Sequence, residues 1–322
     1  MRRLETWSKE RNAELRSRIA EWDGVFGLDP EDAFFAGSES MPEFSFSGGG
    51  FRVDTAWWLG ELCRLAYTPD HREEKRDRAG RLPRRAPILA QRTPFGEELS
   101  VHKTGNHVSI YRFREGHGGT ILCFRGTNKT RQWIMNAVVR PHGWKRFLRT
   151  GESGDAFVHS GFYVLFKRIW PKVWPVLEHL PRPWVFTGHS LGGALATIAG
   201  VIARPELVCT FGAPKVGNTD FYQLPQAEST WRITNEADLV PRLPFPDARL
   251  REREFVQGVD SIRLSEDSEP GSFPSLEAEA ELPFDWRRLA KEFESPPAWI
   301  REHRMSVYQK RLGLIHEAGA ER

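Results

Sequence analysis

The sequence predicts an α/β fold, a mostly parallel sheet flanked by helices, and two observations carry that prediction. Through the middle of the chain, short apolar runs of strand length alternate with longer segments of helical spacing. At one junction, Val185 to Ala196, the chain reads Val-Phe-Thr-Gly-His-Ser-Leu-Gly-Gly-Ala-Leu-Ala, an apolar strand giving way to an apolar helix with Ser190 between Gly188 and Gly192. Such a junction is a nucleophile elbow. The serine is held in a strained turn, the glycines let strand and helix pass close together, and the hydroxyl is expected to stand exposed at the top of the sheet. The backbone N–H of Leu191, at the start of the helix, then points where an oxyanion would form.

Taken in order, the chain divides into an N-terminal helical extension and loop over residues 1–50 and one α/β domain over residues 51–322. Leu4, Trp7, Leu15, Ile19 and Trp22 lie close to a helical stripe, read as a helix packed on its own domain in preference to a membrane-surface helix. Residues 36–50 are Ser/Gly-rich and end in three glycines, a junction without a motif. Asp54 reads as the N-cap of a helix carrying Trp58, Leu59, Leu62, Leu65 and Ala66. The densely charged, mainly basic residues 71–85 read as an exposed loop.

Strands are expected at 107–113, which alternates, and at 120–124, which is apolar throughout after its first residue, as a strand buried on both faces should be. Residues 162–180 have helical spacing through Leu165, Ile169, Val173 and Leu177, with Pro171 and Pro175 expected to kink or divide the helix. Further strands are expected at 184–187, 208–211 and 230–234.

A serine needs a base to take its proton and a carboxylate to hold that base in the right tautomer. Asp238 sits just past the strand at 230–234, at the carboxyl end where open α/β sheets keep their chemistry. Near the C-terminus, His303 precedes a helical stripe of Met305, Tyr308 and Leu312 and is the candidate base. His189 leaves the elbow in a different direction from Ser190, which gives it a packing or hydrogen-bonding role, and no Cys/His/Asp cluster has ligand spacing, so neither metal nor cofactor is expected.

Together with Phe124-Arg125-Gly126-Thr127, Arg131-Gln132-Trp133-Ile134, Val158-His159-Ser160-Gly161-Phe162, Thr210-Phe211-Gly212-Ala213-Pro214-Lys215-Val216-Gly217-Asn218 and Asp238-Leu239-Val240-Pro241, these residues resemble the class 3, fungal-type lipases of the α/β-hydrolase superfamily, in the family's order and from about Val53 to Leu312. The resemblance implies the α/β-hydrolase fold, a Ser190–Asp238–His303 triad, and an oxyanion hole formed by Leu191 and by Thr127, which has both a backbone N–H and a hydroxyl to offer. It implies that His159 is structural. It also implies a candidate lid: residues 128–139 include Trp133, Ile134 and Met135, apolar enough to cover an acyl pocket, while a fixed amphipathic helix has the same periodicity. Many relatives carry an aspartate where this chain has Gln132, and any salt bridge made there is lost.

Between Asp238 and His303 lie 64 residues, including a stretch rich in Ser, Glu and Pro that reads as a mobile insertion at about 261–285. A formal net charge of +3 on 322 residues gives no global argument for nucleic acid. Cys63, Cys123 and Cys209 lie in apolar runs, as reduced core thiols do. The first residues lack a secretion signal and the longest apolar run is too short to cross a bilayer, so the expectation is a cytoplasmic protein, with leaderless export as the alternative. The expected substrate is a lipid or other ester, met with or without transient contact with a membrane or lipid-droplet surface. A triacylglycerol lipase-like hydrolase, a phospholipase A1, a carboxylesterase, an exported phospholipid-cleaving effector and a non-catalytic lipase-like interaction protein all remain compatible with the same residues.

Overall fold

The computed structural model describes residues 34–46, 50–68, 85–103, 106–114, 118–126, 141–143, 155–244, 255–259, 261–265, 275–277 and 301–320. The strands are β1 (Phe95–Lys103), β2 (Asn106–Phe113), β3 (Thr120–Phe124), β4 (Pro141–Gly143), β5 (Phe157–His159), β6 (Trp184–His189), β7 (Leu207–Phe211), β8 (Ser229–Asn235), β9 (Ser261–Leu264) and β10 (Ser275–Glu277). The helices are α1 (Val53–Leu65), α2 (Arg85–Arg92), α3 (Ser160–Leu177), α4 (Leu191–Ala203), α5 (Thr219–Gln223) and α6 (Met305–Ala320). Eight strands form one sheet in the order β1-β2-β3-β6-β7-β8-β9-β10, and β4 pairs with β5 separately. From β3 to β9 every neighbouring pair in the sheet is parallel; β1–β2, β2–β3 and β9–β10 are antiparallel.

Period two explains why strands so apolar need helices on both sides. In β3, Leu122 and Phe124 join one core cluster and Ile121 and Cys123 the other; in β6, Phe186 and Val185 divide in the same way. Helices α3 and α4 cover the first face, through Phe166, Ile169, Val173, Leu195 and Ile198. Helices α1 and α6 cover the second, through Trp58, Leu59, Leu62, Met305, Tyr308 and Leu312. Each large side chain so buried contributes about 1.5–3 kcal/mol. The three cysteines are free thiols inside the second cluster, with Cys63 and Cys123 sulfurs 3.9 Å apart.

Several expectations need correction. The N-cap of α1 is Arg52, without a side-chain cap; Asp54 lies within the first turn, where its carboxylate accepts from the Thr55 N–H at 2.8 Å and pairs with Arg52. Helix α3 runs undivided through Pro171 and Pro175, because Ile169, Trp170, Val173 and Leu177 anchor one side of it in the core. Its N-cap is His159, whose Nδ1 accepts from the Gly161 N–H. Arg85 does not end an exposed loop: it opens α2 and is buried, its guanidinium donating to the carbonyls of Ala66 and Thr68 and to the Thr68 hydroxyl.

Residues 34–46 pack onto the domain, with Phe35 against Trp57 and Trp58 and Phe44 against Phe95. The segment read as an insertion opens with β9, parallel to β8 within the main sheet, where Ile262 and Leu264 join the core. The stripe from Leu4 to Trp22, the 128–139 segment and nearly all of the 71–85 loop lie outside the described residues. Among the described residues no helix is long and apolar enough to cross a membrane.

Candidate active site

The site is assembled where β6, β7 and β8 end. Strand β6 stops at His189, and Ser190 takes φ 57° and ψ −125°, a conformation that costs an L-residue of order 1–3 kcal/mol and persists only where the surroundings enforce it. They do so from three sides. The Ser190 N–H donates to the Phe211 carbonyl at 2.9 Å, and α4 begins at the next residue. A side chain at Gly188 would overlap the backbone of Gly192, and one at Gly192 would overlap the Phe124 carbonyl, so β6, α4 and β3 approach as closely as they do only with glycine at both positions.

The Ser190 hydroxyl is buried rather than exposed, and makes no hydrogen bond to the described residues. The neighbouring His189 ring lies 4.6 Å from that of His303.

Asp238 lies in the turn after β8. One carboxylate oxygen, Oδ1, accepts from the Val240 N–H at 2.9 Å; the other, Oδ2, accepts from His303 Nδ1 at 2.8 Å and from the Tyr308 hydroxyl at 2.7 Å. Asp238 and His303 are each 1 % exposed. With its proton on Nδ1, His303 carries its lone pair on Nε2, the form a proton acceptor requires. The phenol that holds the acid pays out no proton of its own: burial, then the adjacent Asp238 charge, push the Tyr308 hydroxyl well above its ordinary range.

The histidine turn is fastened to the sheet through two successive carbonyls. The Asn235 side-chain amide, at the end of β8, donates to the Glu302 carbonyl at 2.7 Å, and His189 Nε2, at the end of β6, donates to the His303 carbonyl at 2.8 Å. Asn235 also donates its backbone N–H to the Tyr308 oxygen at 3.1 Å.

Asp238 and His303 are therefore hydrogen-bonded at the sheet end that also carries Ser190. Leu191 opens α4 beside Ser190, its amide among the first-turn donors that lack a partner within the helix. Thr127 and the candidate lid residues Trp133, Ile134 and Met135 fall outside the described residues. The sequence reading missed Tyr67, Asn235 and the hydroxyl of Tyr308, which it placed only in an apolar stripe. No spacing rule finds such residues, since each acts across a distance in sequence. Among the described residues no cluster of His, Cys, Asp or Glu has the makings of a metal site.

A family profile described as lipase (class 3) matches residues 121–248, from β3 through the elbow and the acid. Over this stretch the chain is similar to the class 3 lipases. Among curated relatives, a chloroplastic phospholipase A(1) of Arabidopsis thaliana is 28% identical over 176 residues, covering 47% of this chain and 39% of that protein. A secreted mono- and diacylglycerol lipase of Fusarium solani is 32% identical over 135 residues, covering 38% of this chain and 39% of that one. The matches thus span about two fifths of the length of these relatives. A crystal structure of a lipase from Rhizopus microsporus var. chinensis superposes with a TM-score of 0.51 at 20% identity, covering 71% of this chain and 80% of that one. A deletion variant of the Rhizomucor miehei lipase propeptide complex gives 0.51 at 18% identity, over 71% and 73%. These two solved structures share the α/β-hydrolase fold with this chain.

Proposed function

We propose that this protein is a serine ester hydrolase of the lipid-cleaving kind, working by two-step acyl transfer. The observation that carries the reading is the buried Asp238–His303 hydrogen bond at the same sheet end as a strained, glycine-flanked Ser190. In the first step Ser190 Oγ attacks the ester carbonyl carbon while His303 Nε2 takes its proton. Asp238 fixes the imidazole tautomer and stabilises the imidazolium, and its own position is held by the Val240 amide and the Tyr308 hydroxyl. The N–H groups of Leu191 and Thr127 hold the oxyanion, and the imidazolium returns its proton to the departing alcohol. Water, deprotonated by the same histidine, then attacks the acyl-enzyme and releases the acid.

The lipid class of ester is supported by the relatives, whose names specify a phospholipase A(1) and a mono- and diacylglycerol lipase. The test is hydrolysis of a chain-length series of p-nitrophenyl esters, below and above their solubility limits, by wild type and Ser190→Ala. Activity that rises on long-chain emulsions and disappears with Ser190→Ala is the expected result. Turnover that survives in Ser190→Ala overturns the assignment.

A further inference from the structure

Tyr67, just beyond the end of α1, touches two of the three loops that meet at the site. Its hydroxyl lies 2.7 Å from His189 Nδ1. Gly126, the residue before Thr127, packs against the same phenol oxygen. The approach is so close that a side chain at Gly126 would collide with the phenol oxygen and with the His189 carbonyl. On its other side the His189 ring reaches the third loop, at the His303 carbonyl, 2.8 Å away.

The direction of each bond is forced. A carbonyl only accepts, so His189 Nε2 must carry the hydrogen that bonds His303. Burial, reinforced by neighbouring His303, holds the His189 imidazole well below the usual histidine range and hence neutral, so Nδ1 has a lone pair and no hydrogen. The Tyr67 O–H therefore donates to Nδ1. Its proton is not for transfer, because burial raises the Tyr67 hydroxyl far above its ordinary range.

We propose that Tyr67 and His189 are positioning residues, forming a fixed bridge that sets the oxyanion loop and the base loop in register with the nucleophile elbow. The bridge runs from Gly126, packed on the phenol, through Tyr67 O–H to His189 Nδ1, and from His189 Nε2–H to the His303 carbonyl. It touches no reacting atom, and it rests on the serine-hydrolase reading given above. It also explains why the elbow holds a histidine beside its serine. An apolar residue there would fill the space and leave the His303 carbonyl without its donor; a lysine or arginine would bring an unneeded buried charge.

Misplacing donors and base acts on the transition state more than on ground-state binding. Tyr67→Phe, which keeps the ring packing, is expected to lower kcat about tenfold to a hundredfold with KM within about twofold. His189→Gln keeps a donor toward the carbonyl but loses the rigid acceptor, and a loss of similar size is expected. The double variant should lose little more than the worse single, since both cut one bridge. All are measured on one soluble p-nitrophenyl ester beside Ser190→Ala, with thermal midpoints recorded for each.

If Ser190→Ala abolishes turnover while folded Tyr67→Phe and His189→Gln keep wild-type kcat, the bridge is wrong and the hydrolase reading stands. Losses that multiply in the double variant would likewise overturn it. If Ser190→Ala retains turnover, the hydrolase reading falls and the bridge with it. Should Tyr67→Phe fail to fold, His189→Gln decides alone: unchanged kcat overturns the bridge, and a kcat loss at constant KM supports it.

Discussion

The elbow and the acid–base pair stand at the same end of the same sheet, yet they are built by opposite means. The elbow is local: Gly188, Ser190 and Gly192 lie within five residues, and strand, turn and helix follow one another directly. Asp238 and His303 are 65 residues apart, and the hydrogen bond between them exists only because β8, the Val240–Arg242 turn and α6 are already packed. A strained turn is imposed by its immediate neighbours; a base loop must be fastened from outside. Asn235 and His189 do this by gripping Glu302 and His303 from two different strands. The difference teaches that the nucleophile half should tolerate distant substitutions, whereas the acid–base half should be sensitive to residues that never touch the substrate.

Ser190→Ala removes the nucleophile from a turn that needs no hydroxyl to form, so activity on p-nitrophenyl esters should drop on the order of a thousandfold or more with an unchanged thermal midpoint. Retained activity would break the elbow side of the comparison. Asp238→Asn should cost about a thousandfold, because an amide in place of the carboxylate no longer stabilises the imidazolium and favours the wrong tautomer, and the loss should appear in kcat. A loss confined to KM would mean that Asp238 binds substrate instead.

Thr127→Val keeps the backbone donor and removes the hydroxyl, for which a drop of about tenfold to a thousandfold in kcat is expected. An unchanged rate would take the side chain out of the oxyanion hole. Asn235→Ala sharpens the contrast most directly: it releases the Glu302 carbonyl and should reduce kcat about tenfold without moving KM. If kcat does not change, the base loop does not need its outer fastening.

The smallest expected effect is on stability. Burial pulls His159 from an ordinary 6.5 down to about 4. Between those values the unfolded chain binds a proton that the folded chain does not. Stability is therefore full above pH 6.5 and falls as the pH drops toward 4, by roughly 1–3 kcal/mol. In urea unfolding across that window, His159→Asn, which retains an acceptor for the Gly161 amide, should flatten the slope; an unaltered slope would assign it to other groups.

What was legible in the sequence follows the same division. The strands at 120–124, 184–187 and 208–211 and the glycine-flanked turn at Ser190 are written in short-range patterns of apolarity and spacing. Strand β9 was not, because Ser261–Leu264 is four residues long and gains its identity from pairing with β8. Nor was the path of α3: Pro171 and Pro175 argue locally for a break, and the buried face of the helix overrules them.

By itself the sequence determined the alternation that makes an α/β sheet, the turn that strains Ser190, and which residue types stood ready as acid and base. Local sterics and periodicity act over a few residues, and a sequence displays them. Only the tertiary structure decided that Tyr67 meets His189, that Tyr308 and Val240 hold Asp238, and that Asn235 and His189 tie down the carbonyls on which His303 depends. Those bonds join parts of the chain up to 122 residues apart, and a hydrogen bond has no signature until folding brings donor and acceptor within 3 Å.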